Sequence, residues 1–314
     1  MAQPGNVPQQ PVPNRMKLGA VVTGRIAKPI RVLLYGVEGI GKSTFGASAP
    51  GAIFLGAEDG TAELDVTRFP TPGTWVDVMD AVRTLENDPH EFQSLVVDTL
   101  DWVEPMLWAH ICARDGQKDI EAYGYGKGYV AALDEWRVFL VALERLRASR
   151  GMHVVMLAHS SIRPFRNPEG DDFDRYELKL KPNAAGLLKE WNDAVLFANY
   201  QTFAEKDSKT KRVKGISTGA RLIYTNRTAA YDAKNRYSLP DPIPLSWEDF
   251  HAAVFAHRPA AHGALIETIN GKLDKLDKLD RARAQAAFTR AGVDSEKLAQ
   301  LNDWINAKLN LKEA

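Results

Sequence analysis

A glycine-rich stretch near the amino end has the residue types needed to hold phosphate groups. Residues Gly36–Ser43 read GVEGIGKS and fit the pattern GxxxxGK[ST] between an apolar run and an apparent helix. Glycines let backbone N–H groups converge on phosphate oxygens, Lys42 supplies a cation, and Ser43 offers a hydroxyl to magnesium. The stretch therefore predicts a P-loop that binds a nucleotide with Mg²⁺; a glycine turn capping an ordinary helix is the alternative.

Acidic residues follow two other apolar runs. Asp98 ends SLVVD and is predicted to hold magnesium, with Asp101 as the alternative. Glu58 and Asp59 follow AIFLG, at the strand end where open α/β sheets collect catalytic groups. Glu58 is the predicted general base that directs water to the γ-phosphate. An acidic loop capping the next helix is the other interpretation.

His159 ends a further apolar run, HVVMLA. A polar residue at this strand end could sense the terminal phosphate and pass its state to the following loop. A simple polar end cap is the alternative.

Short apolar runs alternate with helical patterns through most of the chain, which predicts an α/β fold with a mainly parallel sheet flanked by helices. One helical pattern, Leu133–Leu146, is closed by Gly151, and beyond Pro244 only helical patterns remain. The predicted strands are RVLLY (31–35), AIFLG (52–56), SLVVD (94–98), HVVMLA (153–158), AVLFAN (194–199) and RLIYT (221–225). The predicted parts are a disordered leader (1–17), an ATPase core (18–258) and a helical appendage (259–314).

Composition excludes several classes of protein. The 40 basic and 40 acidic residues cancel, so the chain has no overall charge that attracts nucleic acid. Cys112 is the single cysteine, which excludes a disulfide framework and favours a reducing cytoplasm. No apolar run approaches the ~20 residues of a membrane span.

The order of the motifs resembles the core of RecA-type recombinases. More narrowly, the chain resembles the phage-encoded RecA-like ATPases of the Sak-four type, which are ATP-dependent single-strand annealing proteins. The narrower resemblance rests on YGYGKGY after SLVVDTLD, on RPFRNPEGDDFDRYELKL after HVVMLAHSS, and on YDAKNRYSLP. It covers residues 18–245. GAVVTGR (Gly19–Arg25) stands where recombinases have a large amino-terminal domain, and could add a strand to a neighbour's sheet.

This resemblance implies ATP and Mg²⁺ as ligands, a catalytic Glu58 and a magnesium-linked Asp98. It also implies a homo-oligomer, ring or filament, in the host cytoplasm if the chain is phage-encoded. A cation would reach the nucleotide from the neighbouring subunit, with Arg227 as first candidate and Lys234 and Arg236 behind it. The residues expected to bind ATP are Gly36, Glu38, Gly39, Ile40, Gly41, Lys42, Ser43 and Thr44.

The resemblance places two DNA-binding loops at Ala113–Val130 and Ser161–Lys181. Each has a net charge of zero, so the expected contact is stacking of bases on aromatic rings, ~1–3 kcal/mol per base. Packing between subunits is the alternative for both. A basic segment, Lys206–Lys214, carries five cations against one acid and could contact phosphates; a solvated hairpin tip is the alternative. The candidate DNA contacts are Tyr123, Tyr125, Lys127, Tyr129, Arg163, Arg166, Lys211 and Arg212.

Two other functions compete with single-stranded DNA binding. One is a nucleotide-gated assembly or loader ATPase that acts on protein partners of replication. The other is a small-molecule kinase, which the lack of an arginine-rich lid disfavours. In the appendage, LDKLDKLD (Leu273–Asp280) is interpreted as a solvated helix face, with a partner surface for a single-strand-binding protein as the alternative.

Overall fold

A computed structural model of the chain describes residues 21, 28–58, 60–206, 213–256, 268–273, 275–291 and 295–313. The strands are β1 (Arg31–Gly36), β2 (Ala52–Gly56), β3 (Thr67–Arg68), β4 (Ser94–Asp98), β5 (His153–Phe165), β6 (Phe173–Leu178), β7 (Ala194–Lys206), β8 (Val213–Tyr224), β9 (Lys234–Asn235) and β10 (Ile243–Pro244). The helices are α1 (Lys42–Ala47), α2 (Trp75–Asn87), α3 (Leu100–Arg114), α4 (Lys127–Arg150), α5 (Pro182–Trp191), α6 (Trp247–Ala256), α7 (268–273), α8 (Lys278–Ala291) and α9 (Ser295–Glu313).

The strands form one sheet in the order β10-β8-β7-β1-β5-β4-β2-β3, with β6 beside β5 and β9 beside β7. The central strands run parallel, while β8 is antiparallel to β7. All six predicted strands are present, and four of them, β1, β5, β7 and β8, are longer than predicted. The predicted α/β class, a mainly parallel sheet flanked by helices with further helices at the C-terminal side, is confirmed.

Both faces of the sheet are covered, which explains why its strands are almost wholly apolar. Leu33 and Tyr35 of β1 belong to one hydrophobic cluster, with side chains from α2 to α5. Val32 and Leu34 belong to the opposite cluster, with Phe45 of α1 and side chains of α6. Polar side chains on these strands can therefore reach open space only at the strand ends.

The predicted helix Leu133–Leu146 is confirmed as part of α4, which ends at the left-handed Gly151. The prediction of a loop as far as Val130 is wrong, because α4 begins directly after Gly126. Gly128 packs so closely that an added Cβ would lie 2.4 Å from the carbonyl oxygen of Ile120. The glycine at position 128 therefore serves close packing rather than mobility.

The predicted hairpin within residues 161–181 is confirmed. Strands β5 and β6 pair in antiparallel fashion, with Phe165 opposite Phe173, and the NPEG sequence lies in the turn between them. The two phenyl rings contact each other with centroids 5.2 Å apart. The hairpin thus extends beyond the carboxyl end of the parallel part of β5.

The C-terminal helices have a small core of their own. The predicted cap of α6 is confirmed, since the Asp249 N–H donates to Ser246 Oγ at 3.3 Å. The separate hydrophobic cluster contains Ile269, Leu273, Leu276, Ala284, Leu298, Leu301 and Ile305. The predicted boundaries at residues 17 and 258 and the segment Gly19–Arg25, apart from Val21, lie outside the described residues.

The interpretation of LDKLDKLD as one solvated helix face is wrong. Leu273 belongs to α7, Leu276 lies in a turn, and both side chains are buried. The carboxylate of Asp277 accepts the N–H groups of Leu279 and Asp280 at 3.1 and 2.9 Å, so it caps the start of α8. The run therefore joins two helices.

Across the described ranges, no helix is both long and apolar enough to span a bilayer.

Replacement of Gly36 by alanine should destabilise the fold, because its Cβ would lie 2.2 Å from the carbonyl oxygen of Ala198 on the neighbouring strand. A paired backbone carbonyl cannot move aside as a flexible side chain can. We therefore expect Gly36→Ala to lower the free energy of unfolding by about 3 kcal/mol or more. The matched control is Gly186→Ala in α5, where an added Cβ meets nothing within 4 Å.

Denaturant unfolding of the nucleotide-free protein gives the free energy of unfolding of both variants. The control should gain about 0.5–1 kcal/mol, since alanine restricts the unfolded chain and favours helix. Equal stability of Gly36→Ala and the wild type would contradict the packing at this strand end.

Candidate functional site

The loop Gly36–Ser43 connects β1 to α1 as predicted. Gly41 precedes α1 with φ 109°, and no side-chain hydrogen bond caps the helix. The first N–H groups of α1 therefore point toward the space where a phosphate would lie. Ile40 is fully buried and anchors the loop in the core, so it can offer only its backbone to a ligand.

The remaining loop residues lie at the surface. Glu38, Gly39 and Thr44 are exposed. The carbonyl oxygen of Thr44 accepts a hydrogen bond from Ser48 Oγ at 3.1 Å.

Lys42 is only 6% exposed although it is charged. Its ammonium group donates to the carbonyl oxygens of Gly36 at 3.4 Å and Val37 at 3.1 Å. Burial lowers the pKa of Lys42, and the carboxylates around it, that of Asp98 first, oppose the shift. Because the carbonyl contacts are long, the ammonium is poised for stronger acceptors such as phosphate oxygens.

Ser43 and Asp98 meet beside Lys42. The Ser43 hydroxyl donates to Asp98 Oδ2 at 2.6 Å, which joins the start of α1 to the end of β4. Burial raises the pKa of Asp98, although this hydrogen bond and Lys42 pull it down. A hydroxyl and a carboxylate are oxygen ligands that suit magnesium.

Among the described residues, no three histidine, cysteine or acidic side chains form a metal cluster. Magnesium tolerates such a site, because it keeps several water ligands and binds phosphate oxygens. Ser43 and Asp98 therefore fit the predicted magnesium position.

Asp101, the alternative magnesium ligand, has a different partner. Its carboxylate accepts the backbone N–H of His159 at 2.9 Å and contacts the Nδ1 of the same histidine at 2.9 Å. Burial by itself raises the pKa of Asp101, but the hydrogen bonds from His159 outweigh it and hold the pKa below the ordinary value. Asp101 thus orients the histidine while Asp98 faces the P-loop.

His159 connects this pair to Glu58. The second ring nitrogen, Nε2, lies 3.9 Å from Glu58 Oε2, and the Glu58 side chain is one-third exposed. The end of β2, the start of α3 and the last parallel-paired residue of β5 therefore bring Glu58, Asp101 and His159 together. Asp59, the neighbour of Glu58, lies outside the described residues.

One cation near the loop was missed by the sequence analysis. Arg221 of β8 places Nη1 3.2 Å from the position of a Cβ on Gly41, so its guanidinium borders the P-loop. The sequence contains no motif around Arg221, since RLIYT indicates only a strand. The antiparallel pairing of β8 with β7 is what brings it there.

The three proposed inter-subunit cations differ in their surroundings. Lys234 Nζ donates to the carbonyl oxygens of Lys189, Glu190 and Asn192 at 2.6–2.9 Å, at the end of α5. Arg236 pairs with Asp193 at 3.3 Å. Arg227 is 61% exposed and has a longer ion pair, 3.7 Å, to Asp232. Of the three, Arg227 is the least constrained.

The tyrosines of YGYGKGY do not share one environment. The Tyr123 hydroxyl donates to the Ile111 carbonyl at 2.9 Å and contacts Asp115 at 2.7 Å. Tyr129 lies in α4 and packs edge-to-face on Trp108. Tyr125 alone among these three is fully exposed, with φ 49° in the turn before α4.

The other candidate DNA contacts are distributed over separate elements. Lys127 is exposed at the first position of α4. Arg166 is exposed next to the hairpin turn, and Arg163 is half-buried on β5. Lys211 and Arg212 lie outside the described residues.

A second acid on α3, Glu104, lies one turn after Asp101 and was not predicted. It is 5% exposed, and its oxygens accept the backbone N–H of Lys181 at 3.1 and 3.3 Å. Burial raises the pKa of Glu104 to about 7. One helix therefore connects the nucleotide site to the first turn of α5.

Comparison with known proteins places the chain among P-loop proteins. Residues 28–237, more than half of the chain, match the family described as AAA domain. A search of curated proteins gave no match in sequence. Among solved structures, the RadB recombinase aligns with a TM-score of 0.35 and 13% identity over 68% of this chain and 93% of its own. The flagellar accessory protein FlaH from Methanocaldococcus jannaschii aligns with a TM-score of 0.34 and 9% identity over 67% and 88%.

Glu104 should make the wild type less stable as the pH rises from about 5 to about 8. Its pKa is about 7 in the folded chain and 4.5 ordinarily, so the folded state holds a proton that the unfolded state has lost. The side chain introduced by Glu104→Gln has no charge at any pH, so this variant should not lose stability in this way. In the wild type the full loss is about 3 kcal/mol in the free energy of unfolding.

Urea unfolding of both proteins near pH 5 and pH 8 measures the difference. Glu169→Gln, at the exposed hairpin turn, is the matched control and should follow the wild type. The same pH dependence in Glu104→Gln and the wild type would contradict the buried carboxyl group.

Proposed function

This chain belongs to the AAA-domain family, and on that premise we propose that it is an ATP-hydrolysing protein that binds single-stranded DNA and promotes annealing as a homo-oligomer. The observation that carries the ATPase part is the meeting of Lys42, Ser43 and Asp98 at one point, with Glu58 beside them. The recombination role is that of the phage annealing proteins whose motifs the chain resembles.

ATP binds in this proposal with its phosphates on the loop Gly36–Ser43. Lys42 leaves its carbonyl partners for the terminal phosphates, and Arg221 adds a second positive charge from β8. Ser43 and Asp98 would hold magnesium, which neutralises phosphate charge when it is bound. The buried charges are stabilised only when the nucleotide completes the site.

Glu58 acts as the general base that orients the attacking water. An ionised Asp101 can only accept hydrogen bonds, so Nδ1 of His159 is the donor in that pair. The other nitrogen, Nε2, then faces Glu58 across 3.9 Å, a gap that one water molecule can bridge. His159 thus responds to the state of the water and the γ-phosphate.

Single-stranded DNA is proposed to contact the surface around Tyr125 and the β5–β6 hairpin. Tyr125 is exposed and can stack on any base, and Arg166 can reach a phosphate. In the oligomer, Arg227 is proposed to approach the nucleotide of the neighbouring subunit. Its exposure and its long ion pair to Asp232 support this assignment over Lys234 and Arg236.

Steady-state ATP hydrolysis with and without single-stranded DNA tests the ATPase and its coupling to DNA. We expect DNA to accelerate the wild type, and Lys42→Ala to abolish nucleotide binding. Glu58→Gln should bind ATP normally and hydrolyse it on the order of 10²–10⁴-fold more slowly, because the base is lost. Glu63→Gln, an exposed acid a few residues further on, is the control.

Equal rates with and without DNA would favour the loader ATPase over the annealing protein. Conversion of ATP to ADP only in the presence of a nucleoside monophosphate, with formation of the nucleoside diphosphate, would instead indicate a kinase.

Replacement of Tyr125 by alanine should weaken binding of a fluorescent single-stranded oligonucleotide on the order of 10-fold, because one stacking ring is removed. ATP affinity should not change, since Tyr125 lies outside the P-loop. Tyr125→Phe keeps the ring and should bind like the wild type. Fluorescence anisotropy gives the affinities, and an unchanged value for Tyr125→Ala would refute the role of this residue.

A further inference from the structure

A cavity of about 240 Å³ lies between α3, α4 and the start of α5. The residues that matter for its chemistry are Glu104, Trp108, Tyr129, Trp136, Lys181 and Asn183. None of them belongs to the P-loop or to the Glu58–His159 pair. The floor is buried, with Trp136 fully covered, whereas Asn183 at the rim is exposed. The cavity is therefore open on the side of α5.

The walls of the cavity are aromatic. Trp108 and Tyr129 contact each other edge-to-face with centroids 5.5 Å apart. The Lys181 ammonium lies over the Tyr129 ring, 3.8 Å from its centroid. Flat ligands bind well against such rings, because stacking needs no particular hydrogen bonds.

Two residues that line the cavity have buried polar groups with unused hydrogen-bonding capacity. The indole N–H of Trp136 is buried and has no hydrogen-bond partner in the described part of the chain. A buried donor without a partner costs about 1–3 kcal/mol, so a ligand acceptor would be favoured here. The Glu104 carboxylate has the Lys181 N–H as its hydrogen-bond donor among the described residues, and it can accept more. The cavity thus offers one donor and one acceptor.

The mouth of the cavity favours a negative charge. Helix α5 begins at Pro182, and the residue before it, Lys181, does not cap the helix with its side chain. A helix N-terminus carries a partial positive charge, and the Lys181 ammonium adds a full one. An anionic group at this rim and a flat polar group inside would satisfy every part of the site.

We propose that this cavity binds one nucleotide of single-stranded DNA, with the base beside Trp108 and Tyr129 and its phosphate at Lys181 and the start of α5. The proposal rests on the proposed function and names the site at which DNA acts. The base edge supplies both an acceptor for the Trp136 N–H and a donor for Glu104. Lys181 moves from the face of Tyr129 to the phosphate.

A cationic side chain of a protein partner fits the cavity less well. It would suit Glu104 and the aromatic rings, but it would leave the Trp136 N–H without an acceptor. It would also meet the Lys181 ammonium, a like charge, at the face of Tyr129. The nucleotide satisfies these groups without such repulsion.

Helix α3 connects this cavity to the ATP site. Asp101 and Glu104 lie one turn apart on it, the first bonded to His159 and the second facing the cavity. Pro105 follows Glu104 inside the helix and has no N–H to donate to the carbonyl of Asp101. A base that engages Glu104 can therefore shift the turn that holds Asp101, so filling the cavity should stimulate hydrolysis.

Trp108→Ala tests the site, with Trp102→Ala as matched control. Both residues lie on α3, but Trp102 is 51% exposed and does not line the cavity. Trp108→Ala should weaken binding of a single-stranded oligonucleotide on the order of 10-fold and remove most of the DNA stimulation, leaving basal hydrolysis unchanged. Trp102→Ala should differ from the wild type by less than about twofold. Trp136→Phe keeps an aromatic ring but removes the indole N–H. It should weaken oligonucleotide binding by a smaller factor than Trp108→Ala does.

Photo-crosslinking locates the base directly. An oligonucleotide that contains 5-iododeoxyuridine is irradiated with the full-length protein, and the attached peptide is identified by mass spectrometry. We expect attachment at Trp108 or Tyr129, with a lower yield in Trp136→Phe because the base loses one hydrogen-bond donor. Should Trp108→Ala fail to fold by circular dichroism, the crosslink and Trp136→Phe still decide the question.

The outcomes separate this proposal from the proposed function. If the wild type does not bind the oligonucleotide, the proposed function itself fails. If the wild type binds and Trp108→Ala matches Trp102→Ala, with no crosslink in the cavity, only the cavity assignment is overturned. A loss of self-association in Trp108→Ala with normal DNA binding would likewise overturn it, and would identify the cavity as a protein contact.

Discussion

The burial of both faces of the parallel sheet is the constraint on which the site depends. Leu33 and Leu34 of β1 belong to hydrophobic clusters on opposite faces of the sheet, so neither face of this strand is open to a polar ligand. Polar side chains of the parallel strands lie at the strand ends, and at the carboxyl ends the parallel neighbours finish at one edge. The Ser43–Asp98 hydrogen bond and the approach of His159 to Glu58 follow from this single edge.

The nucleotide site holds its charges at an energetic cost. Burial pushes the pKa of Lys42 down and that of Asp98 up, so each charged form is less stable here than in water. Their mutual attraction offsets part of the cost. Asp101 shows the opposite balance, because the hydrogen bonds of His159 outweigh its burial. The residues that would meet ATP are thus left incompletely stabilised, while the residue that orients the histidine is well satisfied.

Helix α3 unites features that are separate in the sequence. It carries Asp101 toward β5 and Glu104 toward the start of α5. Trp108, one turn further, meets Tyr129 of α4. The surface proposed for DNA and the surface proposed for hydrolysis are therefore two parts of one helix face, which gives a physical route for DNA to affect ATP turnover.

The sequence by itself determined the P-loop, the six strands and the mainly parallel sheet, because apolar runs and glycine spacing are local signals. Tertiary structure decided which acid serves which partner: Asp98 and Asp101 look alike in SLVVDTLD, and only the packing of β4, α1 and β5 separates their roles. It also brought Arg221 to Gly41 through an antiparallel pairing that no motif records. In YGYGKGY, the composition is typical of a mobile loop, but Tyr123, Gly128 and Tyr129 pack against Ile111, Ile120 and Trp108. Local sequence does not show such packing between segments.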